Sequence, residues 1–220
     1  MDKRNTPDPR LYLSRLDYDE SLKSNSVEKH DFILGLWCCR DFRGVQKGKL
    51  LPYKNNKASK MLTANRSVDQ AFIKLNQSLS SGLNEIHQST YDSKYWVILY
   101  GYWLRQFLDI LYDRYKIIEE AKKTIGTEPV DVCLPDQMDH QASFDTDDFS
   151  VGVFTDYFNH CIFGDIINYL GYFNIMNRSL KKECSSKLGR KSTFKLLKKL
   201  VFEISTFLVR LNKVIIIRSY

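Results

Sequence analysis

Between Ser67 and Ile118 apolar residues recur at the three-and-four spacing of a helix in two long runs, so the chain must bury helical stripes to fold at all. Val68, Phe72, Leu75, Leu79, Leu83 and Ile86 share one face and predict a helix from about Ser67 to His87. The next helix begins after Asp92 or Ser93, either of which can cap it, and carries Tyr95, Ile98, Leu99, Tyr102, Trp103, Phe107, Ile110, Leu111 and Ile118. Trp96, Leu104 and Leu108 widen its apolar arc, which reads as a central, largely buried helix.

Around these runs lie short strand signals. Leu11-Tyr12-Leu13 reads as a short strand, Phe32 to Trp37 as a core strand, and Val151 to Phe154 as another. The β-branched run Val214 to Ile217 reads as a strand buried on both faces, as in a parallel sheet. A helix is expected from Asp156 through Leu170, and a third strong one from about Ser192 to Asn212 with lysines opposite its apolar stripe. Residues 40–66 read as a loop or a weakly ordered connection, and Asp136 to Asp148 as an acidic loop holding His140. The expected organisation is a poorly determined segment over 1–30 and one helix-rich α/β domain over 31–220. A buried strand at the carboxyl terminus leads us to expect that this domain continues in a longer protein.

With 43% hydrophobic residues in 220, the chain can bury a real core. Its formal charge of +7 favours anionic partners, and the basic residues gather between Lys181 and Arg218. The five cysteines form no C-x-x-C pair, so neither a disulfide framework nor a zinc knuckle is indicated. His30, His87, His140 and His160 show no compact ligand spacing, and no metal is expected. No phosphate-binding glycine loop, dinucleotide fingerprint or nucleophile elbow is present. Met1 to Arg15 lacks a secretory apolar core, and no segment offers about eighteen charge-free apolar residues, so the expected location is cytoplasmic.

Candidate chemistry is sparse. Asp109 and Asp113 place two carboxylates on one helix face, which is unfavourable unless a cation such as Arg105 or a ligand lies between them. Asp113 and Arg114 read as a structural pair or a charged site. His87 and His160 read as general bases or as packed, hydrogen-bonded residues. The basic helix from Ser192 reads as a core stripe with a solvated lysine face, or as an interfacial helix drawn to anionic lipid at the inner face of the membrane. Nucleic acid is disfavoured as a partner because no recognition motif accompanies the charge.

Certain stretches resemble a bacterial family of uncharacterised transferases encoded among surface-polysaccharide genes. They are Leu34-Gly35-x-Trp37-Cys38, Leu83-Asn84-x-Ile86-His87, Ser93-x-Tyr95-Trp96, Gly101-x-Trp103-Leu104, Leu111-Tyr112-Asp113-Arg114-Tyr115 and, more weakly, Asp156-x-x-Asn159-His160. The likeness is strong over about residues 30–170. Tyr102 stands where the family pattern has proline, and Cys39 and Arg40 replace a more apolar stretch. The resemblance implies a glycosyltransferase of two facing Rossmann-like halves (GT-B-like), of which this chain would be the amino-terminal half. It implies transfer of sugar from a nucleotide-sugar donor to a glycan or lipid-linked acceptor, with no bound cofactor. His87 and His160 are then the candidate catalytic bases, and Asn84, Tyr95, Trp103, Asp113, Arg114 and Asn159 the candidate substrate-binding residues. The competing reading is a non-catalytic basic binding or scaffold module for an anionic partner.

Overall fold

The computed structural model describes residues 7–39, 47–52, 58–135, 149 and 151–178. The expected acidic loop over 136–148, the helix from Ser192 and the strand from Val214 lie outside these residues. The chain divides into two compact units: Met1–Tyr53 with Lys116–Phe194, and Lys54–Tyr115 with Lys195–Tyr220.

The first unit is mixed α/β with parallel strands. Strand β1 (Leu11–Tyr12) pairs with β2 (Phe32–Ile33), and β2 with β3 (Lys49–Leu50). Strand β4 (Asp131–Pro135) pairs with β5 (Asn174–Arg178), from Asp131 opposite Asn174 to Pro135 opposite Arg178. The two sheets meet at a parallel bridge between Arg10 and Asp131, where the Asp131 N–H donates to the Pro9 carbonyl at 2.9 Å. Parallel neighbours need crossovers, and helix α1 (Arg15–Lys23) fills the one from β1 to β2. Leu11, Tyr12, Leu13, Ile33, Leu34, Val132 and Leu134 are all buried, as strands covered on both faces should be.

Residues 7–30 thus supply β1 and α1, and Leu11–Tyr12 is the short strand its apolar run predicts. The core strand expected over Phe32–Trp37 is shorter: pairing covers only Phe32–Ile33, and Leu36–Cys38 form a 3₁₀ turn. Trp37 folds its indole back over Gly35, where an added Cβ would collide with the ring. The indole N–H donates to the Leu13 carbonyl at 3.1 Å, and the ring stacks on Phe163 with centroids 6.2 Å apart. A continuing strand would forfeit that arrangement.

The strand expected over Val151–Phe154 is also corrected. Residues 151 and 152 are helical, and local bonds such as Val153 N–H to the Phe149 carbonyl at 3.0 Å close a turn. Val151 and Phe154 point into solvent, so the run lacks the burial a central strand requires.

Helix α4 (Asp156–Leu170) has the bounds its pattern predicts. Thr155 caps it by accepting the Phe158 N–H, and Gly171 ends it at φ 61°, a conformation that favours glycine. Its buried face carries Ile162, Phe163, Ile166 and Ile167.

The second unit holds helix α2 (Ala58–His87) and most of α3 (Ser93–Ile125), whose residues from Lys116 onward belong to the first unit. Helix α2 begins well before the expected Ser67. The two helices run antiparallel, linked by Arg105 with Asp69, by Tyr100 Oη donating to Asn76 Oδ1 at 2.5 Å, and by Trp96 with Asn84. Gly101 sits at the contact, where a Cβ would meet Phe72 at 3.5 Å. The expectation of a largely buried α3 holds from Leu104 onward, whereas Ile98, Leu99 and Tyr102 are exposed. One wide arc cannot pack entirely against one helix, so its flank faces outward.

Candidate functional site

In the first unit, three buried polar side chains converge just past the carboxyl end of β1. Ser14, Asp17 and His160 are each no more than 1% exposed. Ser14 precedes the first turn of α1, Asp17 lies within that turn, and His160 lies on α4. The Asp17 carboxylate accepts from Leu13 N–H at 2.9 Å, Ser14 N–H at 3.0 Å, Tyr18 N–H at 3.1 Å and Ser14 Oγ at 3.2 Å. The Leu13 and Ser14 N–H groups lie at the helix start, and a carboxylate there also meets the positive end of the helix dipole.

The Ser14 Oγ lies 2.9 Å from His160 Nδ1, and His160 Nε2 lies 3.1 Å from the Cys133 carbonyl oxygen. A carbonyl can only accept, so Nε2 carries a proton and donates to β4. The cluster therefore ties together the β1–α1 loop, α1, α4 and β4. At its rim Arg15 pairs with Asp156 at 2.8 Å, again joining α1 to α4.

Burial pushes the Asp17 carboxyl up from its ordinary value, against the lowering effect of His160 and of the N–H donors. Burial, then the charge of Asp17, also push the Cys38 thiol well above its ordinary value. Cys38 Sγ rests 3.6 Å from the Tyr12 carbonyl and is an uncharged packing group rather than a nucleophile.

The remaining predicted site residues fall as follows. Asn159, in the first unit beside His160, donates its amide to the carbonyls of Val153 at 2.8 Å and Thr155 at 2.9 Å. Asn84, His87, Tyr95, Trp103, Asp113 and Arg114 lie in the second unit. Asn84 organises the turn between α2 and α3. Its Oδ1 accepts from Trp96 Nε1 at 2.9 Å, Ser89 Oγ at 2.9 Å and Tyr91 N–H at 3.1 Å, while Nδ2 donates to the Tyr91 carbonyl at 2.7 Å.

His87 ends α2, exposed, with its ring 5.5 Å from that of Trp96. Tyr95 stacks on Tyr91 at 4.1 Å, and Trp103 on Phe107 at 5.5 Å. Asp113 pairs with Arg114 at 2.5 Å. The cation required beside Asp109 is Arg105, whose Nε lies 3.1 Å from it and whose Nη1 meets Asp69.

Ser14 and Asp17 were not among the candidates drawn from sequence. Their signal was nonetheless present: Ser14-x-x-Asp17 after an apolar triplet is a helix-capping pattern. Among the described residues no group of three His, Cys, Asp or Glu side chains is arranged to hold a metal ion. No described helix is long and apolar enough to cross a membrane.

A parallel α/β unit with a buried polar cluster, and a second unit built on a helical hairpin, define the class of protein. The chain belongs to the LIC12162 family of transferases, whose family model matches residues 16–220. No curated protein and no solved structure matches it.

Proposed function

We propose that the chain is a glycosyltransferase, moving a sugar from a nucleotide-activated donor to a surface-polysaccharide or lipid-linked acceptor, with no cofactor beyond the donor. The observation that carries this reading is the strand order. Followed across the Arg10–Asp131 bridge it runs β3-β2-β1-β4-β5, all parallel. A doubly wound, Rossmann-like half has the same order with its reversal between the first and fourth strands, which supports this reading. Sheets of this kind take ligands outside the carboxyl ends of their strands at that reversal, which here falls beside Ser14 and Pro135.

Residue roles belong to the same proposal. His87, being exposed, is the candidate general base that takes the proton of an acceptor hydroxyl as the bond between sugar and nucleotide breaks. Arg114, held by Asp113, meets a phosphate or carboxylate. Tyr95 and Trp103 stack on sugar rings, and Asn84 and Asn159 orient substrate hydroxyls. The setting is the cytoplasm, with contact at the anionic inner face of the membrane.

The charge of +7 favours the second reading, a basic scaffold for an anionic partner. Titrating the chain with UDP-, GDP- and dTDP-sugars, and with a DNA duplex and anionic vesicles at low and high salt, separates the two. Saturable nucleotide-sugar binding with nucleotide release supports transfer. Its absence, with duplex or vesicle binding that weakens steeply with salt, supports the scaffold.

A further inference from the structure

We infer that Asp17, Ser14 and His160 form a proton-loaded latch, in which one shared proton decides whether Ser14 of the β1–α1 loop can bond Asp17 and His160 at once. The argument is a count of hydrogens. His160 Nε2–H is committed to the Cys133 carbonyl. Ser14 Oγ touches both Asp17 Oδ1 and His160 Nδ1, yet a hydroxyl has one hydrogen to give.

Both contacts become hydrogen bonds only when the chain holds one further proton. If it sits on Nδ1, the ring donates to Ser14 and Ser14 to the carboxylate. If it sits on Asp17, the carboxyl donates to Ser14 and Ser14 to the ring. When that proton leaves, Ser14 serves one neighbour and the other link opens in a buried setting.

Other charged and polar groups stand around the latch. Arg15 and Asp156 satisfy each other across α1 and α4. From the 3₁₀ turn comes the uncharged Cys38 thiol, and from β4 the Cys133 carbonyl. Burial, by raising Asp17, favours the proton-loaded state. Ser14 and His160 are thus positioning residues for the loop that follows β1, and this holds for the free protein whatever its ligand.

The test follows the His160 ring nitrogens by nitrogen-15 NMR, together with hydrogen exchange of the Leu13 and Ser14 amides, between about pH 5 and about pH 8. Expected are an Nε2 that stays protonated throughout, and amide protection, corrected for intrinsic rates, that falls about tenfold across the range in the wild type. In Ser14→Ala that pH response should vanish, while Ser14→Thr, which keeps the hydroxyl, should restore it. An unprotonated Nε2, or the same pH response in Ser14→Ala as in the wild type, overturns the latch.

Discussion

Replacing Asp17 with alanine removes the acceptor for four donors at once, and its cost follows from what each donor has left. Tyr18 N–H keeps a second acceptor, the Ser14 carbonyl at 3.3 Å. The N–H groups of Leu13 and Ser14 lose the carboxylate oxygens that lay 2.9 and 3.0 Å away, in a region where Ser14 is 1% exposed. An orphaned buried donor costs about 1–3 kcal/mol, and Ser14 and His160 also lose the end of their chain. The sum is about 3–5 kcal/mol, reduced from a simple total because the buried carboxyl group no longer has to be desolvated.

For a chain of this length that lowers the melting temperature by roughly 6–20 °C. Asp17→Asn keeps one acceptor oxygen but turns an amide N–H₂ toward other donors, so its loss is intermediate. Circular-dichroism melts and urea titrations of both variants measure this. A loss below about 1 kcal/mol for Asp17→Ala would refute the assignment of those donors to the carboxylate.

The pH dependence carries a definite sign: because Asp17 is raised in the folded state, its contribution is whole below the ordinary carboxylate range and is lost as pH climbs through the raised value. The stability advantage of wild type over Asp17→Asn therefore shrinks as pH rises above the ordinary carboxylate range in paired urea titrations. Gly35→Ala drives a methyl into the Trp37 ring and should cost about 1–3 kcal/mol, with a change in tryptophan emission as the indole leaves Phe163. Asn84→Ala should cost about 1–2 kcal/mol and quicken amide exchange at Tyr91, whose N–H donates to it. Thr155→Ala removes the cap of α4 and should cost about 1 kcal/mol by thermal melting.

The long elements were legible because their signal is local. The bounds of α4 follow from Thr155, the apolar stripe and Gly171, and the hairpin from two uninterrupted periodicities. The two-residue strands β1 and β2 were only partly legible, because their partners lie far along the chain and their burial leaves no alternation to read. Trp37 misled by hydrophobicity alone: its place was decided by an indole hydrogen bond to Leu13 that no periodicity encodes. The same applies to the polar cluster. A capping pattern announced Ser14 and Asp17, but nothing near them in sequence pointed to His160. The family motifs around Asn84, Gly35 and Asn159 were visible as patterns, and the structure gives each a local bonding role.

The contact between Ser14 and His160 joins residues 146 apart in sequence. It also sets an order of events during folding. The α2–α3 hairpin rests on contacts between close neighbours and can form in microseconds to milliseconds, whereas β1 cannot find β4 until a loop of more than a hundred residues has closed. On the ribosome the amino-terminal strands must therefore wait, their apolar edges uncovered, while the hairpin matures behind them. Pulse-labelled hydrogen exchange should record that delay as early protection at Trp96 and late protection at Leu13. A chaperone that shields the first fifty residues would speed maturation more than one that binds the hairpin.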